Sequence, residues 1–227
     1  MDEKKTTKKK SMVREYTEAL LIALVLAMLI RIFVVEPFKI PSGSMIPSLL
    51  IGDHLLVSKF IYKFSQPKRG DVIVFKYPDN PARNFIKRII AVGGDTLEIK
   101  DKVVFVNGIQ QDEAYIQHQF PDVLPARFST RDNFGPVEVP QNYYFMMGDN
   151  RDSSLDSRFW DNRFVNRRAI VGKAVILYWS WKRDELPLES PNDTLLEKIA
   201  QGGKNMLYYI THFPGVVRWN RIAHVIH

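Results

Sequence analysis

FIKRIIAV, residues 85–92, decides how the rest of the chain is read. Its aromatic and β-branched residues fit the half-buried surface of a strand, and Gly93, Gly94 and Asp95 close it with a turn. On an alternating strand Lys87 shares a face with Phe85 and Ile89, which aims its ammonium at apolar surroundings. Burial there would lower the lysine pKa toward neutrality and yield the free amine that a general base requires. The other reading of a lone strand lysine is an edge or solvent face.

Outward from this strand the pattern repeats. Residues 54–57 and 72–75 read as strands with Lys68, Arg69 and Gly70 turning between them, and 78–83 breaks the chain again. Strands follow at 96–99 and 103–106, with Asn107 and Gly108 as a tight hairpin turn, and then at 143–147 and 169–179. Short apolar runs separated by turn signals are the pattern of an all-β domain. Two stretches depart from it. Residues 110–137 are polar and uneven, an inserted loop-rich subdomain, and GDNRDSSLDSRFW at 148–160 is too polar for a strand interior and reads as a functional loop.

Upstream lies ALLIALVLAMLIRIFVV, residues 19–35, apolar except for Arg31. With its flanks it reaches the roughly 30 Å of a bilayer core, so a single transmembrane helix is expected at 17–36, Arg31 snorkelling toward the headgroups. A cleaved signal peptide and a buried core helix compete with this reading. Glu36 and Phe38 stand where a small-residue cleavage site would be, and no amphipathic stripe is present. The tail at 1–16 is rich in lysine, which places it in the cytoplasm and the domain at 37–186 outside. Residues 187–227 form a C-terminal segment. Its apolar run at 206–217 is interrupted by His212, Pro214 and Gly215. Arg218, Trp219 and Arg221 suit either an interfacial segment or one packed on the domain.

Between span and domain stands EPFKIPSGSMIPSLL, residues 36–50, in which Gly43 permits a tight backbone and Pro41 and Pro47 stiffen both sides of Ser44. That describes a plain linker or a held nucleophile, and a nucleophile needs a base and a site for the oxyanion. Composition narrows the choice. A chain of 227 residues with no cysteine has no disulfide, thiolate nucleophile or Cys-ligated zinc, and its five histidines show no metal-ligand spacing. The base is then Lys, Asp or Glu. The net charge of +7 is spread along the chain with clusters at the ends, unlike a nucleic-acid stripe.

Taken together, PSGSMIPSL at 41–49, IGDHLLVSKF at 51–60, RGDVIVFKYP through FIKRIIAVGGD at 69–95 and GDNRDSSLDSR at 148–158 resemble the bacterial type I signal peptidases, membrane-anchored Ser/Lys proteases. The blocks cover roughly half the chain, in the family's order. The resemblance implies a mainly β fold, a single N-terminal transmembrane helix followed by an all-β signal-peptidase-like catalytic domain. It implies a cytoplasmic-membrane enzyme that removes signal peptides from exported preproteins through an acyl-enzyme, with no cofactor, metal or nucleic acid. Ser44 is implied as nucleophile and Lys87 as base, with the Ser44 N–H and Ser42 hydroxyl as oxyanion hole and Ser154 orienting the lysine. Asp149 with Arg88, and Asp156 with Arg158, match charged residues that brace the site. Phe38, Ile40, Met45, Leu49 and Ile86 match the apolar substrate cleft. Ser153 stands where the family often has Asn, and RWNRIAHVIH at 218–227 looks like the family's C-termini. Two other readings remain: a dedicated Ser/Lys processing peptidase of one secretion system, and a non-catalytic membrane-anchored β adapter.

Overall fold

The strand around Lys87 is longer than its apolar octapeptide: β4 runs Asn80–Val92 in the computed structural model, which describes residues 12–182, 194 and 211–226. The expected break at 78–83 shrinks to Pro78 and Asp79, because Tyr77 at the end of β3 (Val72–Tyr77) already pairs with Asn80. Tyr77 stacks on Phe85 at 4.4 Å and both rings meet Trp160, so aromatic packing extends the hairpin.

The remaining strands are β1 (Val35–Lys39), β2 (Asp53–Ser58), β5 (Thr96–Lys100), β6 (Val103–Val106), β7 (Ile109–Gln110), β8 (Phe134–Glu138), β9 (Tyr143–Met147), β10 (Val165–Asn166), β11 (Ile170–Ser180) and β12 (His224–Val225). They form an eight-stranded sheet in the order β1-β2-β11-β3-β4-β9-β10, with β12 beside β11, and a four-stranded sheet ordered β7-β6-β5-β8. β4 lies between β3 and β9, and its register with β9 shifts between Ile89 and Ala91. Both its faces are covered. Ile86 packs on the core of Ile40, Met45 and Leu49, Phe85 and Ile89 on the core around Trp160, and Ile90 and Ala91 on the core shared with β5 and β6. Simple alternation therefore gives way to continuous burial from Lys87 to Ala91.

Helix α1, Met12–Phe33, ends before the expected limit of 36, because Val35–Lys39 pairs with β2 as a strand. Among the described residues no helix is long and apolar enough to cross a membrane. The charge-free stretch of α1 lies between Glu18 and Arg31 and spans about 18 Å at about 1.5 Å per residue. Residues 1–11 of the expected basic tail lie outside the described residues, as do 183–193 and 195–210 of the C-terminal region. The insertion's ends belong to the small sheet as β7 and β8, while 111–133 form turns and bends.

Residues 211–226 of the C-terminal segment make contacts with the domain. Val217 bridges Trp181, β12 pairs with β11, and Arg221 donates to Asp53 Oδ2 at 2.7 Å and to the Ser48 carbonyl at 2.8 Å.

Candidate active site

The serine turn is built from both ends. Gly52 N–H donates to the Ile40 carbonyl and Leu50 N–H to the Asp53 carboxylate, which closes the loop that carries Ser44. Within it Ile46 N–H reaches the Gly43 carbonyl and Leu49 N–H the Met45 carbonyl, an arrangement that drives Met45 and Leu49 into the core beneath. Ser44 stays half-buried above them.

Lys87 arrives from β4. Its Nζ lies 2.5 Å from Ser44 Oγ, although 43 residues separate the two in sequence. The side chain is 4% exposed. That burial lowers its pKa to about 8; the nearby Asp156 and Asp149 carboxylates pull upward against it, and Arg158 adds to the lowering. The solvent-face reading of this lysine is thereby set aside. A base role for Lys87 requires the neutral amine, so that role predicts a kcat/KM that rises with pH along a limb of apparent pKa about 8 and levels above it. A pH-rate profile from 6 to 11 checks this; a limb near the free-lysine value of about 10.4 would contradict the burial.

Two donors of the serine turn are left uncommitted among the described residues. The Ser44 N–H makes no backbone hydrogen bond among the described residues, and the Ser42 side chain is exposed beside it. Ser154 is 6% exposed, and its Oγ has no hydrogen-bond partner among the described residues. It nonetheless reaches the site: a Cβ on Gly148 would run into both Ser154 Oγ and the Ser44 carbonyl. Glycine at 148 thus lets the polar loop and the serine turn meet backbone to backbone.

The charged residues form two buried forks. Arg88 donates to both Asp149 oxygens at 2.9 and 2.7 Å and also to the Gly70 carbonyl. Arg158 holds both Asp156 oxygens at 2.8 and 2.9 Å, and its remaining donors reach the carbonyls of Arg131 and Arg151. Burial alone would raise the Asp156 carboxyl. The Arg158 guanidinium and the Gly148 N–H reverse this and hold it below the usual carboxylate range.

The five apolar positions divide. Phe38 and Ile86 are half-buried and present surface, whereas Ile40, Met45 and Leu49 are 2%, 0% and 0% exposed. The latter three, expected as lining, are instead part of the hydrophobic core with Leu55, Val57 and Leu177. Asn150 escaped the sequence reading as a site residue. Its N–H donates to the Ser44 carbonyl and its side-chain amide to the Gly43 carbonyl, so it pins the serine turn to the polar loop. It lies inside GDNRDSSLDSR, which was its available signal. Among the described residues no cluster of His, Asp or Glu could hold a metal ion.

A serine-bearing turn, a buried lysine and a polar loop occupy residues 44, 87 and 148–158 in that order. The family model described as "Signal peptidase, peptidase S26" matches residues 13–179, which contain all three. The chain belongs to the signal peptidase family, peptidase S26. Signal peptidase I of Aquifex aeolicus (strain VF5) is 40% identical, over 76% of this chain and 87% of its own. Signal peptidase I of Pseudomonas fluorescens is 35% identical, over 78% and 76%. The crystal structure of a signal peptidase I from Enterococcus faecalis V583 is 28% identical, covers 48% of this chain and 97% of its own, and has a TM-score of 0.38. This signal-peptidase-family chain is thus a peptidase, a hydrolase of peptide bonds. The packed segment 211–226 lies beyond the matched residues.

Proposed function

We propose that this signal peptidase removes N-terminal signal peptides from exported preproteins by a Ser44–Lys87 dyad. The observation that carries the reading is the 2.5 Å approach of a buried lysine amine to a serine hydroxyl. Neutral Lys87 takes the hydroxyl proton as Ser44 Oγ attacks the scissile carbonyl. The Ser44 N–H and Ser42 hydroxyl face the developing oxyanion. The resulting ammonium returns its proton to the leaving amine, and the mature protein departs. Lys87 then draws a proton from water, which hydrolyses the ester. Ser154 is the lysine-orienting residue of this reading, supported by its place on the loop that meets the serine turn at Gly148, and Arg88–Asp149 and Asp156–Arg158 hold that loop. A substrate strand lies against Phe38 and Ile86 with small side chains at the first and third positions before the cut, while Ile40, Met45 and Leu49 form the floor.

Helix α1 is the membrane anchor in this reading. Among its apolar side chains Leu20, Leu21, Ile22, Leu24, Val25 and Phe33 are exposed, which supports an anchor, although the charge-free stretch alone does not cover the bilayer. Arg31 reaches the headgroups, the N-terminus is cytoplasmic and the β domain is outside, where a preprotein's apolar segment shares the bilayer and raises the effective concentration.

The test is cleavage, by the protein purified in detergent, of a precursor bearing an Ala-x-Ala site. Product should disappear in both Ser44→Ala and Lys87→Met; product from both would sink the dyad. Protease added outside sealed spheroplasts should digest the domain and spare the tail, and the opposite pattern would reverse the orientation.

A further inference from the structure

The loop that carries Asp149 through Arg158 is gripped from outside by the insertion, at Glu113. Its carboxylate accepts from both ends of the Arg151 guanidinium, at 2.7 and 2.5 Å, and from the Tyr115 hydroxyl at 2.9 Å. Both partners of the ion pair are buried, at 2% and 6% side-chain exposure. From there the contacts run inward. Arg151 Nε donates to the carbonyl of Gly148, the glycine wedged between Ser154 and Ser44. Arg151 N–H donates to the Gln117 carbonyl and Gln117 N–H to the Asp149 carbonyl, so the insertion pairs backbone to backbone with the loop. Asn150, held in that pairing, donates to the Ser44 and Gly43 carbonyls. On the other flank the Tyr115 ring lies 3.9 Å from the Arg88 guanidinium.

We propose that Glu113 is a positioning residue for the signal peptidase reaction: by fixing Arg151 and Tyr115 it sets the loop that places Asn150 and Ser154 against Ser44 and Lys87. The proposal rests on the dyad reading. A buried Arg–carboxylate pair is rarely needed for stability as such, since well-packed apolar residues of similar volume replace it at little cost. Its directional bonds are what apolar residues cannot reproduce. Arg151 aimed at the Gly148 carbonyl fixes the one point of the loop where no side chain fits. A sub-ångström shift there moves Ser154 and the Ser44 carbonyl together.

This separates positioning from mere structure in a measurable way. The double variant Glu113→Leu/Arg151→Met removes both charges and leaves neither stranded. Its melting temperature in detergent should lie within a few degrees of wild type. On a saturating soluble peptide with an Ala-x-Ala site, kcat per folded molecule should fall at least about tenfold, with KM within about twofold. Glu113→Gln keeps the shape and one acceptor, and should recover part of that loss. A folded double variant with wild-type kcat overturns the proposal. So does an activity loss that the unfolded fraction fully accounts for. Should the double variant not fold, Glu113→Gln decides: reduced kcat at unchanged KM supports the proposal, and wild-type kcat overturns it. Ser44→Ala serves as control, because cleavage that persists there defeats the dyad whatever the Glu113 variants do.

Discussion

Lys87→Met is expected to abolish cleavage and, at the same time, to make the protein more stable. The loss follows from the dyad: with no group beside Ser44 Oγ to take its proton, the rate should fall by about 10³-fold or more. The gain follows from the lysine's pKa, lowered from 10.5 to about 8 by burial. Between these values the unfolded chain holds the proton and the folded chain does not. Stability therefore rises with pH through that window, and below about 8 the folded state carries the full penalty of the buried ammonium. At about 1.4 kcal/mol per pKa unit the penalty is about 3 to 4 kcal/mol at most near pH 7. Methionine fills a similar volume without a charge. At about 2–4 °C per kcal/mol, the melting temperature should rise by several degrees at pH 7, and the difference from wild type should shrink toward pH 10.5. Thermal melts of both proteins across this range check it. A variant less stable than wild type at pH 7 would contradict the desolvation argument.

Arg88→Met should have the opposite effect on stability. Asp149 is 0% exposed and its side chain is bonded to Arg88 through both oxygens. Removing the guanidinium leaves a buried carboxylate without its partner, which costs about 3–5 kcal/mol. The melting temperature should fall by about 6–20 °C, and activity should fall with it because the loop adjoining Lys87 loses its anchor. The double variant Arg88→Met/Asp149→Leu should recover most of the stability, since the unpaired charge is then gone. If the double variant is no more stable than the single one, the cost lies elsewhere, in the bonds from Arg88 to the Gly70 carbonyl or in its stacking on Tyr115.

The local signals were read correctly where the chemistry is local. Strand formation around Lys87, the Asn107–Gly108 turn and the Pro-Gly-Ser composition around Ser44 each follow from residues a few positions apart, whereas the alternation expected around Lys87 gave way to burial on both faces. The limits of the elements did not follow so well. Val35 and Glu36 fall inside the expected span, yet they leave the helix because β2 offers a pairing partner some 20 positions later. The strand extends from Phe85 back to Asn80 because Tyr77 and Phe85 stack against Trp160, which is far away in sequence.

The candidate site divides along the same line. By itself the sequence determined the residue types and their order: a serine held by glycine and prolines, a lysine inside an apolar strand, and a polar loop dense in Asp and Arg. Spacing and composition carry that much, because backbone preference and side-chain chemistry are properties of short stretches. Only the tertiary structure decided that Ile40, Met45 and Leu49 are buried core rather than exposed lining. It alone brought Asn150 to the Ser44 carbonyl, and Glu113, from a segment with no motif, to Arg151. Burial and charge pairing depend on which distant segments the sheet brings together. Asp149 meets Arg88 across 61 residues, and the depressed pKa of Lys87 exists only once that packing has excluded water.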